Sequence, residues 1–222
     1  MEQTKEAQYQ FLIELEKQGL EELGLMSSQV WRDDPRRLLF VLARYKFVAK
    51  MFSGMNRVME VGCADGFGTR VVRQEVAEVV ATDFDPVFIK RNRQRIHPKW
   101  PITFKVHDMM GGPLVEEFDG AYAVDVLEHI PVSDEAKFLG NIAASLSPQG
   151  VCLIGSPSLQ SQVYASPPSK AGHVNCKDAP GMRTTMARHF HNVFIFSMND
   201  EVVHTGFYPL AHYLWALCCN RK

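Results

Sequence analysis

Three glycines and three carboxylates crowd one short part of the chain. The run Val58-Met-Glu-Val-Gly-Cys-Ala-Asp-Gly-Phe-Gly68 follows a strand-like apolar segment and leads into a helix. Gly62, Gly66 and Gly68 therefore fall where the backbone turns tightly and a ligand can approach it closely. Such a strand-turn-helix lies at the carboxyl edge of a parallel sheet, where open α/β folds bind their ligands. Glu60, Asp65 and Asp83 surround the turn with negative charge. That field repels a pyrophosphate and favours a cation.

Two nucleotide motifs are excluded. G-x-G-x-x-G fails because position 64 is alanine and position 67 is phenylalanine. The G-K-[ST] of a P-loop is absent. S-adenosylmethionine, with its cationic sulfonium and ammonium groups, is the candidate that remains. Transfer of its methyl group asks little of a protein: the acceptor must line up with the methyl and lose its proton. Four of the eight histidines have positional arguments for that task. His129 follows the fourth strand and ranks first; His173, in a Ser/Pro-rich loop, ranks second. His204 and His212 flank the last loop, which also holds Tyr208. Glu128 is an alternative base, and the loop 156–175, with Tyr164 and Lys170, is expected to cover the acceptor. No metal is expected: Cys63, Cys152, Cys176, Cys218 and Cys219 are odd in number and lack CxxC spacing, which argues against a disulfide framework or a zinc site. Free thiols point to a reducing cytoplasm.

These residues need a scaffold, and the apolar rhythm supplies one. Residues 5–23 read as an amphipathic helix, broken by residues 26–35. Asp34 before Pro35 marks the start of a helix running to about Phe52. From residue 57 short apolar runs alternate with helical segments. Strands are read at 57–61, 79–82, 102–106, 120–124 and 151–154. Helices are read at 69–78, at 86–96 with Asp85 as cap, and at 134–147. This alternation implies a parallel sheet with helices on both faces. The tail reads as a long polar loop at 157–175, a helix at 178–189, and strands at 193–198 and 212–219. Residues 1–53 form an N-terminal helical extension and 54–222 a single α/β domain. Length, at 222 residues, suits that division. A net charge of -1 gives no electrostatic footprint for nucleic acid. No apolar run is long enough for a membrane span, and the polar N-terminus does not read as a signal peptide.

Residues 57 to about 155 resemble the class I S-adenosylmethionine-dependent methyltransferases, in the branch of the ubiquinone-biosynthesis O-methyltransferases. Four landmarks match in order: Glu60-Val-Gly-Cys-Ala-Asp-Gly66, Val79-Val-Ala-Thr-Asp83, His107-Asp108-Met109 and Asp125-Val-Leu-Glu-His-Ile-Pro131. Ala64 stands where the family often has glycine. The resemblance implies a Rossmann-like, seven-stranded sheet of order 3-2-1-4-5-7-6 with strand seven antiparallel. It also implies roles. The turn from Gly62 through Cys63 and Ala64 to Gly66 would meet the methionine part of the cofactor. Asp83, followed by Phe84, would hold the ribose hydroxyls. Asp108 would take the adenine amino group, with Met109 beside the ring, and Asp125 would lie near the ammonium. Arg32-Asp-Asp-Pro35 resembles an Arg-x-x-Pro element of that branch, in which the arginine clamps the cofactor carboxylate; Trp31 is expected to pack its helix on the domain.

The stretch from Ser197 to Tyr208 resembles uncharacterised bacterial methyltransferases of surface-polysaccharide gene clusters. The expectation is O-methylation of a small hydroxylated acceptor such as a sugar or glycan precursor. Two alternatives stay open: an N-methyltransferase, although the D/N-P-P-Y signature is absent, and a non-catalytic cofactor-binding module. The oligomeric state is left open as well.

Overall fold

The structure is a computed structural model and describes residues 2–222. Its centre is an eight-stranded sheet of order β3-β2-β1-β4-β5-β8-β6-β7. The strands are β1 Arg57–Val61, β2 Glu78–Asp83, β3 Thr103–Val106, β4 Phe118–Val124, β5 Leu146–Pro157, β6 Phe190–Asn199, β7 Val202–His204 and β8 Tyr213–Arg221. β1 to β5 are parallel to one another, and β8 runs antiparallel between β5 and β6. The expected order is thus present, with the short β7 added at the edge as an eighth strand through its pairing with β6.

Side chains alternate across the sheet with period two, and this separates two cores. Met59 and Val61 face a layer that includes Phe138, Leu139 and Ile142 of α6 (Val132–Ala144) and Met182 and Met186 of α8 (Ala179–Met186). Val58 faces the opposite layer, with Tyr45, Val48 and Ala49 of α3 (Pro35–Met51), Val72 of α4 (Thr69–Arg73) and Ile89 of α5 (Pro86–Gln94). Asp34 and Asp85 cap α3 and α5 as read from sequence, each accepting a hydrogen bond from a backbone N–H two residues on.

The N-terminal extension departs from the expected single helix. One turn of 3-10 helix at Ala7–Tyr9 leads into α1 (Gln10–Lys17), and residues 26–33, read as a break, belong to α2 (Leu25–Asp33). The reason lies far along the chain. α2 begins at Gly24, which offers no capping side chain, and Asp65 of the glycine turn takes that part: its carboxylate accepts from Ser27 N at 2.7 Å and Ser27 Oγ at 3.3 Å. Arg95 adds clasps to the carbonyls of Glu22 and Asp65, and Arg70 pairs with Glu21 at 3.0 Å. Trp31 does not pack as expected; it is 55% exposed. The segment after β5 is more ordered than a polar loop, with a 3-10 stretch at Gln160–Tyr164 and α7 at Pro167–Gly172.

The turn after β1 needs its glycines. Gly62 has φ +75°, and a Cβ there would stand 2.5 Å from Val126 Cγ2; Gly66 has φ +64° and faces Phe104 at 2.8 Å. Ala64 sits between them at φ +44°, a left-handed conformation that costs an L-residue about 1–2 kcal/mol. Ala64→Gly should therefore raise stability by about 1 kcal/mol in urea denaturation. A loss of stability would mean that the Ala64 methyl contributes more than its backbone costs.

Candidate active site

The site is assembled at the carboxyl ends of β1, β2 and β4. β1 ends in the glycine turn, β2 ends in Asp83, and β4 runs into Asp125-Val-Leu-Glu-His129. Asp83 is tied into the turn: one carboxylate oxygen accepts from Ala64 N at 2.8 Å, the other from Asp85 N at 2.9 Å. Each oxygen keeps a further lone pair, in a residue only 7% exposed. Phe84, next to it, is 75% exposed, an unusual position for a large aromatic at a strand end. His107 bonds Gly112 O at 3.0 Å and so shapes the loop after β3. In that loop Asp108 is exposed and accepts from Met110 N at 2.8 Å, while Met109 is buried.

Glu60 points away from this edge. It lies on the α3 side of β1, 1% exposed, and its carboxylate accepts from Tyr45 Oη at 2.7 Å, Thr69 Oγ1 at 2.5 Å and Tyr122 Oη at 2.9 Å. The negative field read from sequence at the turn is thus not Glu60's to supply. Asp65 is likewise engaged, with α2. Cys63 is buried, and burial pushes its thiol far above the ordinary range.

Asp125 has the sharpest geometry. It adopts φ +58°, a strained conformation for a residue with a side chain, and its N–H donates to Gly155 O at 3.1 Å. Its carboxylate pairs with Arg44 of α3 at 2.5 Å. The Arg44 guanidinium is also stacked 4.0 Å above the Tyr213 ring of β8. Arg44 Nε and Asp125 Oδ1 are both buried without a hydrogen-bond partner. Arg44 escaped the sequence reading because it is one cation on an ordinary amphipathic helix. Only the crossing of α3 over β4 and β8 gives it a role. Arg32, the cation singled out instead, is exposed on α2 and lines a cavity of about 1530 Å³ beneath the N-terminal extension. That cavity, and a smaller one of about 260 Å³, border Asp65 behind the glycine turn and include neither Asp83 nor Asp125.

The two histidines ranked for catalysis meet. His129 and His173 are 44 positions apart, yet their ring centroids are 5.2 Å apart at 67°. The join is made by backbone: Val174 N and Asn175 N donate to Glu128 O at 2.8 and 3.0 Å. Glu128 is fully buried, and burial with the nearby Asp125 charge holds its carboxyl above the usual carboxylate range, opposed by Arg44. Burial lowers His173, and His129 adds to that. His204 and His212 are placed elsewhere: His204 bonds Asn199 in the β6–β7 hairpin, and His212 stands beside Phe40.

The family model described as "Methyltransferase domain" matches residues 58–150, the segment from β1 to the start of β5 proper. A curated relative, the magnesium-protoporphyrin O-methyltransferase of Rhodobacter capsulatus, is 33% identical over 85 residues, 37% of this chain and 38% of that protein. The chain thus matches well under half the length of that relative. Among solved structures, the N-methyltransferase NodS from Bradyrhizobium japonicum, in complex with S-adenosyl-L-homocysteine, is similar with a TM-score of 0.63 at 20% identity, covering 95% of this chain and 98% of that one. A TehB-like SAM-dependent methyltransferase from Corynebacterium glutamicum is similar with a TM-score of 0.64 at 18% identity, covering 87% and 95%. At such identities the likeness carries the fold alone.

The Glu60 knot makes a testable statement about pH. Burial raises its carboxyl from 4.5 to about 7, although the three hydroxyls pull the other way. The folded form then holds a proton that the unfolded chain releases between those values. Stability from this group is full below the lower value and is lost as pH rises through the upper one. The melting temperature of the wild type relative to Glu60→Gln should therefore fall as pH is raised from about 5 to about 8. A difference that stays constant with pH would mean that the hydroxyls keep Glu60 ionised throughout.

Proposed function

We propose that this chain, a class I S-adenosylmethionine-dependent methyltransferase, passes the cofactor's methyl group to a hydroxyl of a small acceptor, a sugar or glycan precursor. The observation that carries the reading is the meeting of His129 and His173 beside Asp125, at the same sheet edge as the glycine turn and Asp83. In this reading Gly62, Cys63, Ala64 and Gly66 present backbone to the methionine part. Asp83 takes the ribose hydroxyls and Phe84 covers the adenosine. Asp108 takes the adenine amino group, with Met109 behind the ring. Asp125 Oδ1 receives the ammonium, and Arg44 Nε receives the carboxylate, the part the sequence suggested for Arg32.

The sulfonium loses its charge as the methyl moves. The acceptor oxygen must shed a proton to match, and a sugar hydroxyl does not do so unaided at neutral pH. Glu128, His129 and His173 form the group of titratable side chains at hand. The oxygen's electron pair forms the bond to the methyl carbon, the carbon–sulfur pair returns to sulfur, and the proton leaves at this cluster. Tyr164 and Lys170, on the ordered segment above it, are exposed and suited to hold the acceptor.

An N-methylated product is the second reading, since the fold is shared with an N-methyltransferase at 20% identity. The O-methyl reading draws support from the short match to an O-methyltransferase. Transfer of isotopically labelled methyl to hydroxylated and aminated acceptors, with the product located by NMR, separates them. Cofactor binding without turnover on either class would favour a non-catalytic module. We place the work in the cytoplasm, on the strength of five unpaired cysteines. No helix among the described residues is long and apolar enough to cross a membrane.

Two substitutions test the roles. Asp83→Ala should weaken cofactor binding in calorimetry by about 1–3 kcal/mol, with the fold retained; unchanged affinity removes the ribose role. His129→Ala should lower kcat by about 10²–10⁴-fold with cofactor affinity nearly intact. If kcat holds and only stability falls, His129 serves the fold and His173→Ala becomes the decisive variant.

A further inference from the structure

Glu128, His129 and His173 each offer a ligating atom, and these atoms all lie within 4.8 Å of one another. Three features separate this cluster from a chance meeting. The first is the carboxylate. Glu128 is 0% exposed, and neither of its oxygens accepts a hydrogen bond of good geometry: the nearby Ser156 hydroxyl is turned to Pro157 O. A buried carboxyl left without a donor is costly in its ionised form, and a bound cation would relieve that cost. Arg44 is near enough to favour the ionised form, but its hydrogen bond goes to Asp125 and it donates none to Glu128.

The second feature is the state of the two rings. His129 Nδ1 lies 2.9 Å from Gly172 O, and His173 Nδ1 lies 2.8 Å from Gln162 Oε1. The Gln162 amide is oriented by its nitrogen, which donates to Ser158 O and Ser161 Oγ. A carbonyl oxygen only accepts, so both Nδ1 atoms donate, and in the neutral form of each ring the lone pair falls on Nε2. Ligating histidines are oriented in this way, the far nitrogen donating to a carbonyl or carboxylate. The third feature is access and rigidity. His129 is exposed, giving an ion a way in, and the Val174 and Asn175 N–H bonds to Glu128 O lock the two ligand-bearing segments together.

We propose that Glu128, His129 and His173 hold one divalent transition-metal ion, and that this ion is the means by which the cluster draws in the acceptor hydroxyl and strips its proton. Two imidazoles and one carboxylate suit zinc, iron or nickel better than magnesium or calcium. Three protein ligands leave positions open for the acceptor. The absence of CxxC spacing, on which no metal was expected, argues against a thiolate site and says nothing against this one. The inference rests on the reading of this edge as the methyl-transfer site. The ion stabilises the deprotonated oxygen and the proton passes to solvent water; the oxygen lone pair forms the bond to the methyl carbon as the carbon–sulfur pair returns to sulfur. No electron changes hands between ion and substrate.

The test uses the full chain, stripped with a chelator. Zinc should bind stoichiometrically, one ion per chain, in titration calorimetry, and cobalt should give visible d–d bands. Glu128→Gln and His173→Ala should each weaken binding by about tenfold or more. Gln162→Ala removes only the partner of His173 and should weaken binding by about 10–100-fold. Cys176→Ser, the neighbouring thiol, should leave binding unchanged. Uptake that ignores the first three substitutions, or that Cys176→Ser abolishes, overturns the site. Chelation should also cut methyl transfer, and zinc should restore it. Full transfer by a protein that takes up no ion overturns the ion and keeps the transferase reading. Ion binding at these three residues without methyl transfer to any acceptor keeps the ion site and discards that reading.

Discussion

Glu60 lies beneath the glycine turn, out of contact with solvent, and receives hydroxyls from three separate elements: Tyr45 of α3, Thr69 of α4 and Tyr122 of β4. A buried carboxyl is expensive unless its oxygens are satisfied, and this one is satisfied only when the helix before β1, the helix after it and the neighbouring strand are all in place. Thr82 Oγ1 donates to the Glu60 carbonyl and extends the tie to β2. Gly68 lets the turn close on this knot, since a Cβ there would stand 2.2 Å from the Tyr45 ring. The position of the turn, and of everything a ligand would meet there, follows from the packing around Glu60.

A second polar group organises the β4 edge. Arg44, Asp125, Glu128 and the Tyr213 hydroxyl crowd together with several hydrogen-bonding atoms left unpaired. In a finished structural network such atoms would be matched, because each orphan loses its solvation for nothing. In the proposed reading they lie where a zwitterionic ligand end and an acceptor would meet, and Asp125 has a left-handed backbone as well. Unpaired groups and a left-handed backbone at one place are what the proposed binding of cofactor and acceptor would complete.

The N-terminal extension is joined to the site through Asp65. That residue caps α2 from a position 38 residues further along the chain, and Gly24 passes close enough that a Cβ would lie 2.7 Å from it. The glycine turn and the entry of α2 are therefore mechanically linked. α3 is joined more firmly still, since its Tyr45, Val48 and Ala49, with Phe52 at its C-terminal cap, belong to the core beneath the sheet.

Sequence alone determined the parallel sheet, the two aspartate helix caps, the glycine turn and the candidate acids at strand ends. Each of these is written in a local pattern: apolar alternation, a capping residue before proline, or a turn that only small residues can make. It also ranked His129 and His173, but on separate grounds and as alternatives. Tertiary structure decided that they are neighbours, because the Val174 and Asn175 amides pair with the Glu128 carbonyl, and no local pattern encodes a hydrogen bond across 46 residues. It turned Glu60 inward, since the period-two alternation of β1 puts that residue on the α3 face with Val58. It made α2 a helix through a cap borrowed from Asp65. And it selected Arg44 over Arg32 as the buried cation, because a charge on a helix has no meaning until the helix has a partner to cross.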